Sequence, residues 1–293
     1  MEQMKRNPVV IILFLLPGLL VFLILVLKPI AGGFVMSMMK WTTFIKTEFV
    51  WFQNYSYLFH DELFWQSVKV SLIFMFGTTV IQIVLGFMLG YFLYLQLKGY
   101  QFFRTVLFMP STLLAVGVGF FWGFLLSPRV GLWQHLLEVI GLSQFYKPLL
   151  GSSGTALMVV ILAHVWLALG YTILLFNAGF QNMPKHILEA ASIDGASGWK
   201  KLIYIIIPVS WEIDRMVIIL QIVGSLRAFD LIYIMTSGGP LHGTEVLPLH
   251  MFTLAFENFQ IGMGCSVAVI LFAICMLFTI EIIRFTRRDA LEY

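Results

Sequence analysis

Arg227 and Asp230 stand three residues apart inside a long apolar run, and Gln221, Gly224 and Ser225 precede them on the same stretch. An ionisable side chain at the centre of a membrane helix costs about 2.5–3.5 kcal/mol on insertion scales, so each needs a partner or a wet cavity. At i, i+3 on one helix, Arg227 and Asp230 are expected to face each other and neutralise one another. A second run is interrupted by His164, Trp166, Gly170, Tyr171 and Asn177. Aromatic faces stack on the C–H faces of sugars, while amide, hydroxyl, carboxylate and guanidinium groups exchange hydrogen bonds with their hydroxyls. Trp166 and Tyr171 therefore rank above His164, which reads as a packing residue, and Gly170 is expected to open space beside Tyr171. No nucleophile and base stand in a catalytic pattern, and no Cys or His cluster has metal-ligand spacing. The methionines read as flexible packing.

The elements that must carry these residues are membrane spans. The chain is 60% hydrophobic and 11% charged, with mean hydropathy +0.92, against roughly 45–50% and about 25% in soluble domains. A span needs about 20 mostly apolar residues, and six such runs lie near 9–28, 68–97, 105–127, 155–178, 213–236 and 260–284. The expected fold is all-α, a polytopic membrane protein with six transmembrane helices forming one domain over 1–293. Lys5, Arg6, Lys98, Arg104, Lys185, Lys200, Lys201, Arg215, Arg284, Arg287 and Arg288 then fall on the cytosolic side and put both termini there. Lys28, Lys40, Lys46, Lys69, Arg129 and Lys147 fall outside. The first run exceeds the usual 7–15 residue core of a signal and lacks a clean small-x-small site, so it is expected to be retained. Cys265 and Cys275, ten residues apart on one helix, are too far apart to bridge. A net charge of +3 gives no indication of nucleic acid.

Between two apolar runs lies a polar loop, 182–208, containing EAASIDGASGWKKLIYIIIP from Glu189 to Pro208. Helix formers run from Met183 to Asp194 with Pro184 early and Gly195 just past the end, and a second short helix is expected from Ser197 to Tyr204. Thr236 to Pro240 reads as a tight turn. The sequence contains no Gly-rich phosphate loop ending in Gly-Lys-Ser or Gly-Lys-Thr, so ATP would have to be hydrolysed on another chain.

Glu189-Ala190-Ala191, Gly195 after three intervening residues, and Ile207-Pro208 resemble the EAA motif of ABC importer permeases. The resemblance, to the maltose and glycerol-phosphate branch, continues through Ser225 to Glu245 and covers Phe49 to Phe74, with Trp51-Phe52-Gln53 departing from the pattern. It implies a type I importer permease in a bacterial or archaeal cytoplasmic membrane. The partners would be a second homologous permease, two ATP-binding subunits and an extracytoplasmic sugar-binding protein, with lipid around the spans and no nucleic acid. No cofactor is expected on this chain; ATP and Mg belong to the ATPases, and the chain itself is no enzyme. The resemblance further implies ATPase coupling through Glu189, Ala190, Ala191, Asp194, Gly195 and Trp199. Substrate binding falls to Ser111, Trp166, Gly170, Tyr171, Gln221, Gly224, Ser225, Arg227 and Asp230, and binding-protein docking to Gly238, Gly239 and Pro240. The solute would be a sugar or oligosaccharide, with glycerol-phosphate, polyol or acidic saccharide as alternatives. A secondary transporter using Arg227 and Asp230 as an ion relay is disfavoured by the lack of inverted repeats or Gly/Pro-broken paired spans. A scaffold protein without a solute is disfavoured by the polar residues in the spans.

Overall fold

In a computed structural model the chain is almost wholly helical. The structure describes residues 8–41, 47–127, 131–196 and 198–286. Lys5, Arg6, Lys46, Arg129, Arg287 and Arg288, used in the charge count, and Ser197, expected to open the second loop helix, lie outside the described residues.

Helix α1 (Pro8–Phe22) passes through a π turn at Leu23–Leu27 into α2 (Lys28–Ser37). A two-stranded antiparallel pair follows, β1 (Met39–Lys40) and β2 (Glu48–Phe49), with Met39 opposite Phe49. Then come α3 (Gln53–His60), the long α4 (Glu62–Tyr94), α5 (Tyr100–Phe108), a 3₁₀ turn at Met109–Thr112, α6 (Ala115–Leu125) and α7 (Leu132–Val139). Next are α8 (Ser153–Gln181), α9 (Lys185–Ile193), α10 (Gly198–Lys201), α11 (Ile207–Val209), α12 (Trp211–Leu226), α13 (Asp230–Thr236), α14 (Leu247–Phe252) and α15 (Ile261–Phe285).

Four stretches are long and apolar enough to cross a membrane: Ile11–Ser37, Glu62–Tyr94, Ser153–Gln181 and Ile261–Phe285. Two more cross only as bent pairs, Tyr100–Thr112 with Ala115–Leu125 at 94° and Trp211–Leu226 with Asp230–Thr236 at 42°. The span count is thus four to six, and the third and fifth runs placed by hydropathy, near 105–127 and 213–236, are broken helices. In the third, Pro110 removes a backbone donor, and Leu113 (ψ 150°) and Leu114 (ψ 134°) are extended. In the fifth, the chain leaves helical geometry at Phe229 (φ −134°, ψ −59°) and restarts at Asp230.

The chain divides into two compact units, Met1–Asp61 with His250–Ile270, and Glu62–Leu249 with Leu271–Tyr293. In the first, Asn54 donates its amide to the carbonyls of Ser37 (2.8 Å) and Met39 (3.0 Å), and the Ser266 hydroxyl donates to Ser37 O at 2.9 Å. A Cβ on Gly262 would collide with Met39 O, which accounts for glycine there. The aromatic block after Phe49 is a structural clamp of this kind, with Tyr55 Oη 2.7 Å from Ser37 Oγ.

In the second unit α4 lies along α8. Gly86 and Gly90, four residues apart, let the two backbones approach: a Cβ at Gly86 would stand 2.6 Å from Thr172 Cγ2, and one at Gly90 2.9 Å from Phe176 Cβ. Membrane helices lack a hydrophobic drive to associate, so small residues at this spacing supply close packing instead. One apolar cluster joins Phe74, Val118, Val160, Ile161 and Ile232; another, at the end that leads into α9, joins Phe176, Phe180, Met183, Ile206 and Val217. Between them the α4–α8–α12 seam is polar.

Candidate functional site

The loop after α8 forms two short helices, as its sequence requires. Helix α9 ends at Ile193, and Gly195 sits at φ +78° directly beyond Asp194. Ala196 N–H reaches back to Ala191 O at 2.9 Å and Asp194 N–H to Ala190 O at 3.0 Å. The six-residue closure is the Schellman arrangement, which needs a left-handed residue where Gly195 stands. Helix α10 is shorter than expected, because the chain widens into a π turn at Leu202–Ile206. Lys201 Nζ donates to Leu188 O at 3.1 Å and ties the two helices together. Ala191 is buried, whereas Glu189, Ala190, Asp194, Gly195 and Trp199 are exposed. Ile193 and Tyr204, not singled out by the sequence, are exposed at 86% and 75% and add apolar surface to this knob. Beneath it a hollow of about 610 Å³ is lined by Tyr91, Tyr94, Leu188, Glu189, Lys201 and Ile206.

The membrane-embedded residues divide into two sets. Gln221 and Ser225 are buried on α12: the Gln221 amide donates to Thr172 Oγ1 at 2.7 Å, and the Ser225 hydroxyl to Ile222 O at 2.9 Å. Gly170 is buried against the third span, where a Cβ would stand 2.7 Å from Ser111 Oγ and 2.9 Å from Leu107 O. The expected open space beside Tyr171 is therefore absent; Gly170 admits the Ser111 turn, whose hydroxyl donates to Phe108 O at 2.7 Å. Trp166, Tyr171, Gly224, Arg227 and Asp230 are exposed on this chain. Trp166 meets Trp122 edge-on at 6.0 Å, and no hydrogen bond or ring contact joins Trp166 or Tyr171 to Arg227 or Asp230 among the described residues.

The Arg227–Asp230 pairing expected from helical spacing does not form. Arg227 closes α12 and Asp230 opens α13 across the 42° bend. Without a continuous helix between them, i, i+3 no longer means one face, and no ion pair joins them among the described residues. By contrast Glu281 and Arg284, on unbroken α15, approach to 3.6 Å. His164 packs edge-on against Phe74 at 5.1 Å, as a packing residue would. Asn177 donates to Gly90 O at 3.3 Å. Cys265 and Cys275 are free.

Sequence reasoning missed Gln82. It is fully buried on α4, and neither amide atom has a hydrogen-bond partner among the described residues; the same holds for Thr79 Oγ1. A glutamine in the middle of an apolar span was the available signal.

The loop after α13 places Gly238 (φ +84°) in a buried position, followed by Gly239 and a cis bond to Pro240.

These features define a multi-span membrane protein with a structured polar knob between two spans and a buried polar seam among the helices. Residues 82–288 match the family described as binding-protein-dependent transport system inner membrane component, and the chain belongs to that family. It is 30% identical to the probable ABC transporter permease protein YurN of Bacillus subtilis, over 97% of this chain and 98% of that protein. It is 30% identical to the trehalose/maltose transport system permease protein MalF of Thermococcus litoralis, over 94% and 92%. To the sn-glycerol-3-phosphate permease UgpA of Agrobacterium fabrum it is 29% identical, over 96% of each. The fold superposes with TM-score 0.83 and 18% identity on a chain of a bacterial ABC transporter that imports the acidic polysaccharide alginate, covering 99% of this chain and 98% of that one.

Proposed function

We propose that the chain is one of two homologous permeases in an ATP-driven importer. It would carry a sugar or oligosaccharide from an extracytoplasmic binding protein to the cytoplasm across the cytoplasmic membrane, with both of its termini cytosolic. The observation that carries this reading is the α9–α10 knob: exposed Glu189, Ile193, Trp199 and Tyr204 around a turn closed by Gly195. Such a knob suits a groove on a separate ATPase, which would supply ATP and Mg, so this chain needs no cofactor and catalyses no reaction of its own. Glu189 would meet the ATPase, with Ala190, Ala191 and Asp194 shaping the contact. Nucleotide would bias two discrete arrangements of the spans, exposing a midmembrane site alternately to each side. Ser111, Trp166, Gly170, Tyr171, Gln221, Gly224, Ser225, Arg227 and Asp230 are assigned to that site, the buried members as its frame and the exposed ones as its contacts. Gly238, Gly239 and Pro240 are assigned to docking of the binding protein.

A second reading of the substrate, an acidic saccharide or a phosphorylated polyol, is favoured by Arg227, whose guanidinium is exposed and forms no ion pair among the described residues. The naming of relatives for glycerol phosphate and of a structural neighbour for alginate supports the same alternative.

Uptake of radiolabelled neutral and acidic oligosaccharides in cells carrying the intact system tests both readings. ATP depletion should abolish uptake and a protonophore should leave it. Uptake that follows the proton gradient and survives ATP depletion would instead make this an ion-coupled carrier.

A further inference from the structure

The clamp that ties the end of α2 to α3 and α15 also encloses a hollow of about 500 Å³, built entirely within the first compact unit. That volume falls in the range of about 300–1,000 Å³ typical of small-molecule sites. Its walls come from three places in the chain: Lys40 and Trp41 at β1, Gln53, Tyr57 and Asp61 on and just after α3, and Gln260 just before α15.

The walls are fixed by bonds made outside the hollow. Besides the two Asn54 bonds to Ser37 O and Met39 O, Val50 N–H donates to Met38 O at 2.9 Å and Gly262 N–H to Trp41 O at 3.4 Å. Gln53 Nε2 donates to Tyr57 Oη at 3.4 Å, and Asp61 Oδ2 stands 4.0 Å from Nε2 of the buried His250. Before α15 the chain reverses at Phe259 (φ +56°), and Gln260 N–H donates to Leu254 O at 2.8 Å. A bulky residue at positive φ is an outlier that persists only where its surroundings over-determine it, and here the reversal sets Gln260 on the wall. A hollow held this way is ready for a ligand at little cost in ordering.

Its lining combines two aromatic rings, amides, a carboxylate and an ammonium. Rings accept the C–H faces of a sugar, and amide and carboxylate groups exchange hydrogen bonds with its hydroxyls. The charges of Lys40 and Asp61 are opposite in sign, so a charged ligand gains no net field. A second hollow of the same unit, about 390 Å³ and lined by apolar residues such as Met251, Phe256 and Phe259, shares no lining residue with the first. A lipid needs its headgroup and chain sites joined, so the separation favours a water-soluble ligand.

We propose that this hollow binds one unit of an uncharged saccharide on the extracytoplasmic face, with Trp41 and Tyr57 against the ring and Gln53, Asp61 and Gln260 on its hydroxyls. None of the residues assigned to the midmembrane site lines it. The inference rests on the importer reading: with the N-terminus cytosolic, the Ile11–Ser37 span delivers Met39 to Asp61 to the outside.

The test uses the full complex in lipid nanodiscs, without nucleotide or binding protein, and maltotriose carrying a photoreactive diazirine. The probe should label peptides between Met39 and Asp61 or between Leu254 and Met263, and excess unmodified maltotriose should suppress the label. Trp41→Ala and Gln260→Ala should each weaken this labelling about tenfold, while Trp41→Phe keeps it. Because Gln260 is exposed, Gln260→Ala should leave the thermal midpoint in place and so reads contact apart from folding. Three results would each overturn the saccharide site while leaving the importer reading standing: no suppressible label in these peptides, undiminished labelling in both alanine variants, or label there from a photoreactive phosphatidylethanolamine and not from the saccharide. If cells carrying the wild-type system take up no saccharide, the importer reading falls and this site with it.

Discussion

The Gln221 amide donates a 2.7 Å hydrogen bond to the Thr172 hydroxyl, joining α12 to α8 inside the membrane-embedded part of the chain. Both side chains are buried, so neither can turn to water when the other is removed. Pairs of this kind in membrane proteins are worth about 0.6 kcal/mol on average and up to about 1.7. Gln221→Leu and Thr172→Val should each destabilise the protein. The double variant should cost less than the sum of the two, by about 0.5–1.5 kcal/mol. A double-mutant cycle from denaturant titration in mixed micelles measures this directly, and strictly additive losses would mean the bond contributes nothing.

Gly86 faces the same Thr172 from α4. Because a Cβ there would come within 2.6 Å of Thr172 Cγ2, Gly86→Ala should cost about 1–3 kcal/mol by overpacking. Gly86→Ala combined with Thr172→Ser, which removes the obstructing methyl, should recover part of it. Thermal unfolding followed by size-exclusion chromatography reads both. An unaltered midpoint in Gly86→Ala would mean that the helices do not pack this closely.

Gly195 has open space around its α-carbon, so its requirement is backbone alone. Asparagine tolerates the left-handed region better than β-branched residues do. Gly195→Asn should therefore retain most uptake, while Gly195→Val should insert normally but lose uptake as the α9–α10 geometry shifts. Equal uptake in both variants would indicate that the turn does not transmit coupling.

Arg227 and Asp230 lie on separate helices, which makes their variants independent. If Arg227 meets an anionic solute, Arg227→Gln should raise the half-saturation concentration for acidic saccharides about tenfold or more, spare neutral ones, and gain nothing from added Asp230→Asn. Uptake kinetics with paired acidic and neutral substrates provide the comparison. Rescue by charge exchange between the two positions would restore the ion pair that the structure does not contain.

The sequence carried different amounts of information about these regions for physical reasons. The α9–α10 loop was legible because its signals are local: Pro184 before the helix, Gly195 after it, and lysines in the last turn of α10. The four unbroken spans were legible from composition. The breaks at Leu113–Leu114 and Phe229 were not, because apolar residues continue through them and hydropathy does not register a change in ψ. That same blindness made Arg227 and Asp230 look like an i, i+3 pair. Gly170 was misread because whether a glycine leaves a gap or admits a neighbour depends on Ser111, 59 positions away in the chain. Gln82 was overlooked although its chemistry was in plain view, and its burial against other helices emerges only in three dimensions.

The most direct test of the central claim, that the knob bearing Glu189 couples this permease to a separate ATPase, is ATP hydrolysis by the purified complex in lipid. Wild type is compared with Glu189→Ala, each with and without saccharide-loaded binding protein. The account predicts that loaded binding protein stimulates hydrolysis by wild type and that Glu189→Ala loses this stimulation while remaining folded and assembled with lipid. Undiminished stimulation in Glu189→Ala, or a complex that carries no ATPase, would contradict it.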